Sequence, residues 1–375
     1  MQILFFICLV VLFSRPSLIL AETWQETLEQ HFEIVETFDE LQDWRGADGV
    51  YGVNYNKGSM PVKTDGSPSM WDFYDDWSHG DPVGNWIADH GSADVWRGVG
   101  KSLAVDLDSH DLDGVPRGAQ RFGLYFKKAD GYATSGTKDD GYNDIFIFYM
   151  VKIPHNHFPR DANGVPVYYG YYKFNTLGSG FTSASKHAAY TDPRANVYGA
   201  SYILQLIGTG DSFDHEYIMK YGMRVFAWND WNNHLHLTTP ACNLAGNHGS
   251  SIKPYINNDQ WFGVEYHQTM ETSPGAHDAV SEVWIYHQNG NATKVFSKTD
   301  GVTSQQSHTY KYNKFFFGGN QDFKNENNLK LIYHVDDFII NGSRIGPTYF
   351  QLLQGLPVKG LDVNKVTPNP GKWVH

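Results

Sequence analysis

Short apolar and aromatic runs, separated by Gly, Asn, Asp and Pro, follow one another along most of this chain. Runs of this kind predict β-strands. We place strands near Ser102–Asp106, Arg121–Phe126, Asp144–Ile153, Val167–Phe174, Ser201–Ile207, Glu216–Phe226, Phe262–Met270, Glu282–His287, Lys314–Gly318 and Leu331–Ile340. Because no long helices separate them, a βαβ fold is disfavoured. The pattern predicts an all-β fold, a two-sheet antiparallel sandwich or jelly roll with long decorating loops.

The organisation along the chain is that of one domain. Residues 1–21 predict a secretory signal peptide, since their apolar stretch is shorter than the roughly 20 residues that span a bilayer. Trp24 to Val35 predicts a short helix, and Asp43 to Gly100 predicts a long loop region. We therefore expect a single jelly-roll domain over 22–375. It divides into an N-terminal extension with loops (22–100), a sandwich core (101–347) and a C-terminal tail (348–375).

Composition limits the partners. An aromatic content of 15% with only 19% charged residues excludes a disordered chain. The net charge of −12 argues against a general nucleic-acid binder. We expect a secreted monomer without a membrane partner.

Removal of the signal would leave Cys242 as the only cysteine, so no intramolecular disulfide is expected. Asn291-Ala-Thr and Asn341-Gly-Ser match the N-glycosylation sequon.

Several predicted strands carry Tyr and Trp on one face beside a few polar groups. Strand alternation puts Glu265 and His267 on one face, and Val264 and Tyr266 on the other. The same rule groups the following sets: Glu282, Trp284 and Tyr286; Tyr169, Tyr171 and Lys173; Tyr217, Met219 and Tyr221. Aromatic planes cover the apolar faces of sugar rings, so these faces predict a carbohydrate-binding groove. The alternative is that the aromatic residues simply pack in a core.

Other chemistry has weaker signals. His155 with His157, and His234 with His236, form two H-x-H pairs that suit zinc or copper, although loop histidines without a metal are commoner. Glu265 and Glu282 on neighbouring strands would supply the two carboxylates of a glycosidase. The sequence contains no nucleophile elbow and no P-loop.

Three groups of motifs resemble a known family. Trp261-Phe-Gly-Val-Glu265, Thr272 to Asp278, and Val283 to Gly290 are similar to the "W-x-x-V-E … N-T-P-G-x-x-D-G … W-x-D-G" pattern of polysaccharide-lyase-like jelly rolls. These have a concanavalin A-like fold and include alginate and glucuronan lyases. Tyr333 to Pro347 resembles the closing strand of that family. Phe148 to Lys152, followed by Tyr172-Lys173, resembles its "Y-x-V-K-F … G-K" segment.

The resemblance implies β-elimination on a uronic-acid polymer. Lys173 matches the groove lysine of the family, and Gln205 stands where the family has an arginine. Tyr217 matches the first tyrosine of the next motif; Met219 replaces the second, unless Tyr221 substitutes for it. The resemblance therefore implies a catalytic set of Lys173, Gln205, Tyr217 and His267, with His267 and Tyr217 as base and acid. The alternative for His267 is a sugar-binding or structural role. Sugar contacts are expected from Tyr169, Tyr171, Tyr221, Glu265, Trp284 and Tyr286.

The Asp336-Asp337 pair resembles part of the structural calcium site of these sandwiches. There, a carboxylate of the last strand joins an N-terminal carboxylate, for which Glu36 and Asp39 are the candidates here. The expectation is a Ca²⁺ ion held by Asp336 with Asp39 or Glu36. An acidic pair at a strand edge that binds no metal is the alternative.

Three functions remain open from the sequence. The first is a polysaccharide lyase that cleaves a uronic-acid-containing glycan. The second is a non-catalytic carbohydrate-binding protein of the same fold. The third is a jelly-roll glycoside hydrolase that uses Glu265 and Glu282. The lyase hypothesis requires Lys173, Gln205, Tyr217 and His267 to converge on one face.

Overall fold

The protein is described here by a computed structural model. The structure describes residues 22–46, 60–76, 85–106, 118–125, 141–152, 170–178, 201–207, 223–228, 260–269, 272–273, 276, 278–301, 312, 314–323 and 332–355. Helix α1 spans Trp24–Glu29 and helix α2 spans Gly346–Leu353. The first strands are β1 (Ile34–Glu36), β2 (Trp44–Arg45), β3 (Phe73–Asp76), β4 (Trp86–Ala88), β5 (Ser102–Asp106), β6 (Gly118–Tyr125) and β7 (Asp144–Lys152). The later strands are β8 (Gly170–Gly178), β9 (Ser201–Ile207), β10 (Met223–Trp228), β11 (Trp261–Thr269), β12 (Ala279–Tyr286), β13 (Ala292–Gly301), β14 (Lys314–Phe323) and β15 (Ile332–Asn341).

These strands form two antiparallel sheets. The larger sheet has the order β13-β12-β11-β7-β15-β5-β4-β2, with β1 paired to β15. The smaller sheet has the order β10-β9-β8-β14-β6-β3. Neighbouring strands in space are often far apart in sequence, as in the β15–β7 and β14–β8 pairs. The predicted all-β, two-sheet antiparallel fold is confirmed.

The N-terminal hundred residues contain more structure than their sequence indicates. The predicted helix from Trp24 ends at Glu29, and β1 follows it within the predicted span. The segment predicted as loops contains β2, β3 and β4, and these pair into both sheets. Strand β13 and helix α2 were also missed. Their sequences lack the apolar alternation on which the strand predictions depend.

The main core lies between the two sheets. The larger sheet contributes Tyr149 and Val264 among others, and the smaller sheet contributes Phe315 and Phe317. The rings of Tyr149 and Phe317 meet edge to face, with centroids 5.1 Å apart. Asn175 of β8 bridges the sheets, since its Oδ1 accepts hydrogen bonds from Tyr149 at 2.9 Å and from Tyr266 at 2.8 Å. This buried polar bridge fixes β8 relative to the larger sheet.

A second apolar cluster covers the outer face of the larger sheet. Leu28 and Phe32 come from the α1 region, and Tyr349 and Phe350 come from α2. Phe350 stacks on Tyr286 with centroids 5.5 Å apart. Burial of a side chain such as Phe350 stabilises this docking by roughly 1.5–3 kcal/mol. Neither described helix is long and apolar enough to cross a membrane.

Candidate functional site

A β-bulge in β8 decides which residues share the outer face of the smaller sheet. Asn175 pairs with Leu204, whereas Lys173 pairs with Gln205, so one extra residue of β8 lies between the two pairs. Leu204 and Gln205 are adjacent in β9 and therefore lie on opposite faces. Asn175 is on the inner face, because it bonds Tyr149 in the core. The bulge therefore places Lys173 on the outer face, together with Gln205.

The same row continues into β10. Arg224 pairs with Gln205, and its neighbour Val225 pairs with Leu204 of the inner row. Lys173, Gln205 and Arg224 thus occupy one register row across β8, β9 and β10, on the outer face. Directly paired residues of adjacent antiparallel strands have Cβ atoms about 4.5–5.5 Å apart. Two cationic residues flanking an amide make this row suited to an anionic ligand.

Arg224 was missed by the sequence analysis. Alternation along β10 separates Arg224 and Phe226 from Val225 and Ala227, so the outward position of Arg224 was readable. Its register against Gln205 was not, because the joining segment, residues 208–222, is too long for a short turn to set the pairing. The arginine that the resemblance implied at position 205 is therefore matched by an arginine one strand away in the same row.

Tyr171 belongs to the same face. It lies two residues before Lys173 in β8 and pairs with Ile207, which is two residues after Gln205 in β9. Tyr169, Tyr217 and Tyr221 lie outside the described residues, as do the H-x-H pairs His155–His157 and His234–His236. Among the described residues predicted for the groove, Lys173, Gln205 and Tyr171 share this outer face of the smaller sheet.

His267 does not join this set. It lies on β11 of the larger sheet, and the predicted convergence of His267 with Lys173 and Gln205 is wrong. Its Nε2 lies 2.8 Å from Asp144 Oδ1, and its Nδ1 lies 3.0 Å from Glu282 Oε2. Phe146 stacks on the imidazole with centroids 4.1 Å apart. Both ring nitrogens are therefore engaged, and the ring is held between two carboxylates on the outer face of the larger sheet.

Glu265 and Tyr286 are packed beneath α2. Alternation placed Glu265 on the face opposite Val264 correctly, but the groove predicted there is wrong because the helix fills it. Glu265 is fully buried, and its Oε1 accepts hydrogen bonds from Ile345 N at 2.6 Å and from Gly346 N at 3.3 Å. The Tyr286 hydroxyl donates to its other oxygen. Glu265 thus caps the N-terminus of α2, which has no side-chain cap of its own.

Burial changes the acidity of this pair. It raises the pKa of Glu265, although the bonds from Tyr286 and Ile345 oppose the shift. Burial, followed by the adjacent Glu265 carboxylate, raises the pKa of Tyr286 well above its ordinary range. Arg344 lies 3.6 Å from Glu265 and closes the cluster. Every strong contact of Glu265 is internal, so this carboxylate is structural.

Trp284 is covered as well. It is 5% exposed, with the Arg344 guanidinium 4.4 Å and the Lys294 ammonium 5.0 Å from its ring centroid. The ring is therefore enclosed by cations of its own chain, and the predicted sugar platform of Trp284 and Tyr286 is wrong.

The carboxylate pair predicted for a glycosidase is not arranged for hydrolysis. Glu282 is bound by Lys294 at 2.5 Å, and also by His267 and Ser297. Partial burial opposes ionisation, but the bonds from Lys294 and His267 lower the pKa of Glu282 below its ordinary value. Its partner Glu265 is fully buried. A glycosidase needs both carboxyl groups beside the scissile bond, so this pair cannot serve one.

Glu36, one of the predicted calcium ligands, is hydrogen-bonded within the fold. Glu36 accepts hydrogen bonds from Phe38 N at 2.8 Å and from Trp71 Nε1 at 3.2 Å. Burial raises its pKa to about 7. The role of Glu36 as a calcium ligand stays a prediction.

Asp39, Asp336 and Asp337 converge, and nitrogen and hydroxyl donors bind five of their six oxygens. The sixth, Asp337 Oδ1, is buried and has no hydrogen-bond partner among the described residues. Asp39 Oδ2 lies 2.5 Å from the Arg97 guanidinium. Asp336 accepts hydrogen bonds from Trp96 N at 2.9 Å and from Asp337 N at 2.8 Å. Burial and the adjacent Asp337 raise the pKa of Asp336. Among the described residues, no group of three or more His, Cys, Asp or Glu is arranged to hold a metal.

Fold and site together define a two-sheet β-sandwich whose smaller sheet has a cation-bearing outer face. No protein-family model matches the chain, and no curated protein matches it. Solved structures similar to it include an alginate lyase (14% identity, TM-score 0.41, 72% of this chain and 88% of that chain covered). The alginate lyase vAL-1 from Chlorella virus is 13% identical, with a TM-score of 0.38 over 66% of this chain and 86% of that one.

A third similar structure is the catalytic domain of a GH131 β-glucanase from Podospora anserina, 10% identical, with a TM-score of 0.38 over 76% of this chain and 89% of that chain. Alginate lyases, the class that the sequence motifs resemble, are thus among the structural neighbours. Identities and scores at this level carry nothing about activity, which has to be argued from the chain's own residues.

Proposed function

We propose that the protein is a secreted polysaccharide lyase that cleaves a uronic-acid-containing glycan on the outer face of its smaller sheet. The catalytic set predicted from the sequence fails, because His267 lies on the larger sheet, so this is a revised lyase hypothesis that does not use His267. The observation that carries the proposal is the register row of Lys173, Gln205 and Arg224. Cationic N–H donors form the strongest hydrogen bonds to carboxylates, and the amide of Gln205 adds a neutral donor. A uronic-acid polymer presents a carboxylate on each uronate ring, which is the anion that such a row suits.

The chemistry follows from neutralising that carboxylate. When cations and hydrogen bonds hold the C6 carboxylate, the C5 proton becomes acidic enough for a side-chain base to remove it. The electron pair of the C5–H bond forms the C4–C5 double bond. The C4–O4 bond breaks, and the leaving oxygen takes a proton from a general acid. The products are a shortened glycan and a 4,5-unsaturated uronate, and no water is consumed.

Tyr171 is our candidate for the proton-transfer group beside the row. It shares the outer face with Lys173 and pairs with Ile207, one side-chain repeat along from Gln205. A phenol can remove a proton as phenolate and return one as phenol. Tyr217 stays a candidate for the second proton transfer. His267 is excluded from both roles by its place on the other sheet.

The register row also explains how a protein of net negative charge can bind a negatively charged substrate. The chain has a net charge of −12, which repels a polyanion at long range. At physiological salt, the Debye length is about 8 Å, so the groups next to the substrate decide binding. Binding at the Lys173–Arg224 row should therefore weaken at high salt.

A second candidate is a non-catalytic carbohydrate-binding protein. Position 205 favours it, since glutamine supplies no charge where the resemblance implies arginine. Such a protein would bind the same acidic glycans through the same row and leave them intact. The glycosidase with Glu265 and Glu282 has no support, because Glu265 is fully buried.

The test is ultraviolet absorbance of the full secreted chain mixed with alginate, glucuronan, ulvan, pectate or hyaluronan. A lyase raises the absorbance of one or more polymers, because each cut creates a conjugated unsaturated uronate. A flat trace on all five, with retained binding in a pull-down on the insolubilised polymers, would replace the lyase by the binding protein. A flat trace without binding would refute both.

Three variants localise the activity. Lys173→Ala and Arg224→Ala should each lower the rate by about 100-fold, since charge stabilisation contributes several kcal/mol to such steps. Lys294→Ala is the matched control, because it removes one lysine charge from the larger sheet. Equal losses in all three would indicate a general effect of charge, and full activity in Lys173→Ala would contradict the proposed surface.

A further inference from the structure

The two N-x-S/T sequons of the chain lie in opposite environments. Asn291 is exposed and comes directly after the turn between β12 and β13. Asn341 is the last residue of β15, is 8% exposed, and pairs with Phe146 of β7. The same three-residue signal therefore occurs once at a surface turn and once at the end of a buried strand.

The Asn291 side chain is presented by a well-defined turn. His287 N donates to Asn291 O at 2.9 Å, and Gly290 N donates to His287 O at 2.8 Å. Gly290 has φ +84°, a conformation that glycine adopts at little cost. Asn291 N donates to Asn289 Oδ1 at 3.0 Å. These bonds use the backbone of Asn291, and no hydrogen bond of its side-chain amide occurs within the described part of the chain.

The side-chain amide of Asn341 is hydrogen-bonded within the fold. Its Nδ2 donates to Ser343 O at 3.1 Å and to Ser343 Oγ at 2.8 Å. A sugar on Nδ2 would replace one of these hydrogens and break one of the two hydrogen bonds to Ser343. It would also need space beside a strand that is paired on both sides. Ser343, the third residue of this sequon, is itself the hydrogen-bond partner.

We propose that Asn291 is an N-glycosylation site and that Asn341 stays unmodified in the folded protein. The co-reactant is an oligosaccharide linked to a lipid pyrophosphate. Asn291 Nδ2 forms a bond to C1 of the first sugar, the C1–O bond to the pyrophosphate breaks, and the lipid pyrophosphate leaves while Nδ2 loses one proton. This site is independent of the proposed lyase activity.

The position of Asn291 gives the glycan a physical role. Strand β13 ends the larger sheet in the described part of the chain and pairs with β12. An edge strand of ten residues offers unpaired backbone groups to other chains. A hydrated oligosaccharide at Asn291, the residue before the first of β13, would obstruct such pairing from that end.

The experiment expresses the full chain in a eukaryotic secretory host and in translation extracts supplied with microsomes. Peptide mapping before and after enzymatic release of N-glycans should find a glycan on Asn291 and none on Asn341. Thr293→Ala removes the sequon without altering Asn291 and should abolish the mass shift, as should Asn291→Gln. Asn341→Gln is the matched control and should leave the mass shift unchanged.

Two results would overturn the proposal. One is an unmodified Asn291 in both systems, and the other is a glycan on Asn341 in soluble, folded protein. The edge-strand role has a separate readout, since Asn291→Gln should self-associate more than the glycosylated chain in light scattering. Equal self-association of the two would refute that role and leave the site assignment intact.

Discussion

His267 shows how the role of one side chain depends on the sheet that carries it. Its strand, its face and its polar partner Glu282 were all readable from alternation, yet its ring lies between Asp144 and Glu282 on the larger sheet. A histidine with both nitrogens bound to carboxylates and a phenyl ring stacked on it is held in place by the surrounding strands. Its contribution is to the pairing of β7, β11 and β12.

His267→Gln should leave the lyase activity within about twofold of the unmodified protein. The amide keeps a polar contact to Asp144 or Glu282, and no reacting group lies on this sheet in the proposed mechanism. An essential general base would cost about 10²–10⁴-fold. Steady-state rates on the cleaved polymer decide the matter, with Lys173→Ala as the comparison. A loss in His267→Gln as large as in Lys173→Ala would return histidine to the catalytic set.

Glu36 makes the folded protein less stable as pH rises. Its pKa is about 7 in the fold against an ordinary value of 4.5, so the folded state holds the proton over a range in which the unfolded state has lost it. The stabilisation by the protonated form is complete below about pH 4.5 and is lost as pH rises to about 7. A shift of this size corresponds to about 3 kcal/mol.

Urea unfolding of the unmodified chain and of Glu36→Gln between pH 5 and 8 isolates this contribution. Glutamine cannot accept from both Phe38 N and Trp71 Nε1, so the variant should be less stable at every pH. The quantity to compare is therefore the slope of the free energy of unfolding against pH. The unmodified protein should lose about 3 kcal/mol more than the variant over this range, and parallel curves would contradict the role of Glu36.

Helix α2 depends on β11 for its first turn. Glu265→Ala would leave Ile345 N, Gly346 N and the Tyr286 hydroxyl without their acceptor. Each buried group that loses its partner costs about 1–3 kcal/mol, so we expect a loss of about 3 kcal/mol or more. Glu265→Gln keeps one acceptor oxygen and should lose less.

Hydrogen exchange of the α2 amides locates this effect, alongside the denaturant midpoint. Protection in α2 should fall in Glu265→Ala before the strands of the sheets open, because the helix is held by its cap and by Tyr349 and Phe350. Unchanged protection with an unchanged midpoint would show that Glu265 is not the cap.

The alternation of apolar and polar residues predicted the positions of the strands well, but it did not predict which strands pair. Strands β5 and β9 match the predicted bounds, and Val264 and Tyr266 lie in the core as the pattern indicated. The β8 bulge was not readable, because one extra residue changes no composition and yet moves Lys173 to the outer face. Helix α2 was hidden for a similar reason, since its N-terminal cap comes from a residue 81 positions away.

Which residues share the candidate site depends on how the strands of the whole molecule pair. The face of His267 could be predicted from alternation, but membership of a sheet depends on pairings such as β11–β7 and β14–β8, which join distant segments. No local rule sets these pairings; burial of two complementary faces does. The β9–β10 pairing brings Arg224 beside Gln205, and the β11–β7 pairing places His267 on the other sheet.

The N-terminal segment is tied to the last strand by charge. Arg97 contacts Asp39 at 2.5 Å, lies 4.0 Å from Asp337, and has the Trp24 ring 5.5 Å from its guanidinium carbon. Asp337 also accepts from Trp24 Nε1 at 3.0 Å and from Tyr349. One guanidinium thus balances carboxylates from two distant parts of the chain, the function that a structural cation would otherwise perform.

Excess EDTA should leave the melting temperature of the unmodified protein unchanged, because Arg97 and N–H donors bind both oxygens of Asp39 and of Asp336, and Trp24 and Tyr349 bind one oxygen of Asp337. Of these six oxygens, Asp337 Oδ1 alone has no partner among the described residues. Arg97→Ala should cost about 1–3 kcal/mol, because the Arg97–Asp39 pair is partly exposed and the variant also removes the cation beside the buried Asp337. Arg97→Lys should recover part of the loss, since lysine restores the charge and loses the planar fork. Calorimetry of the three proteins with EDTA and with added Ca²⁺ makes the comparison. A melting temperature that falls on chelation of the unmodified protein would return calcium to this cluster, whereas Ca²⁺ that stabilises only Arg97→Ala would show that the guanidinium occupies the place of the ion.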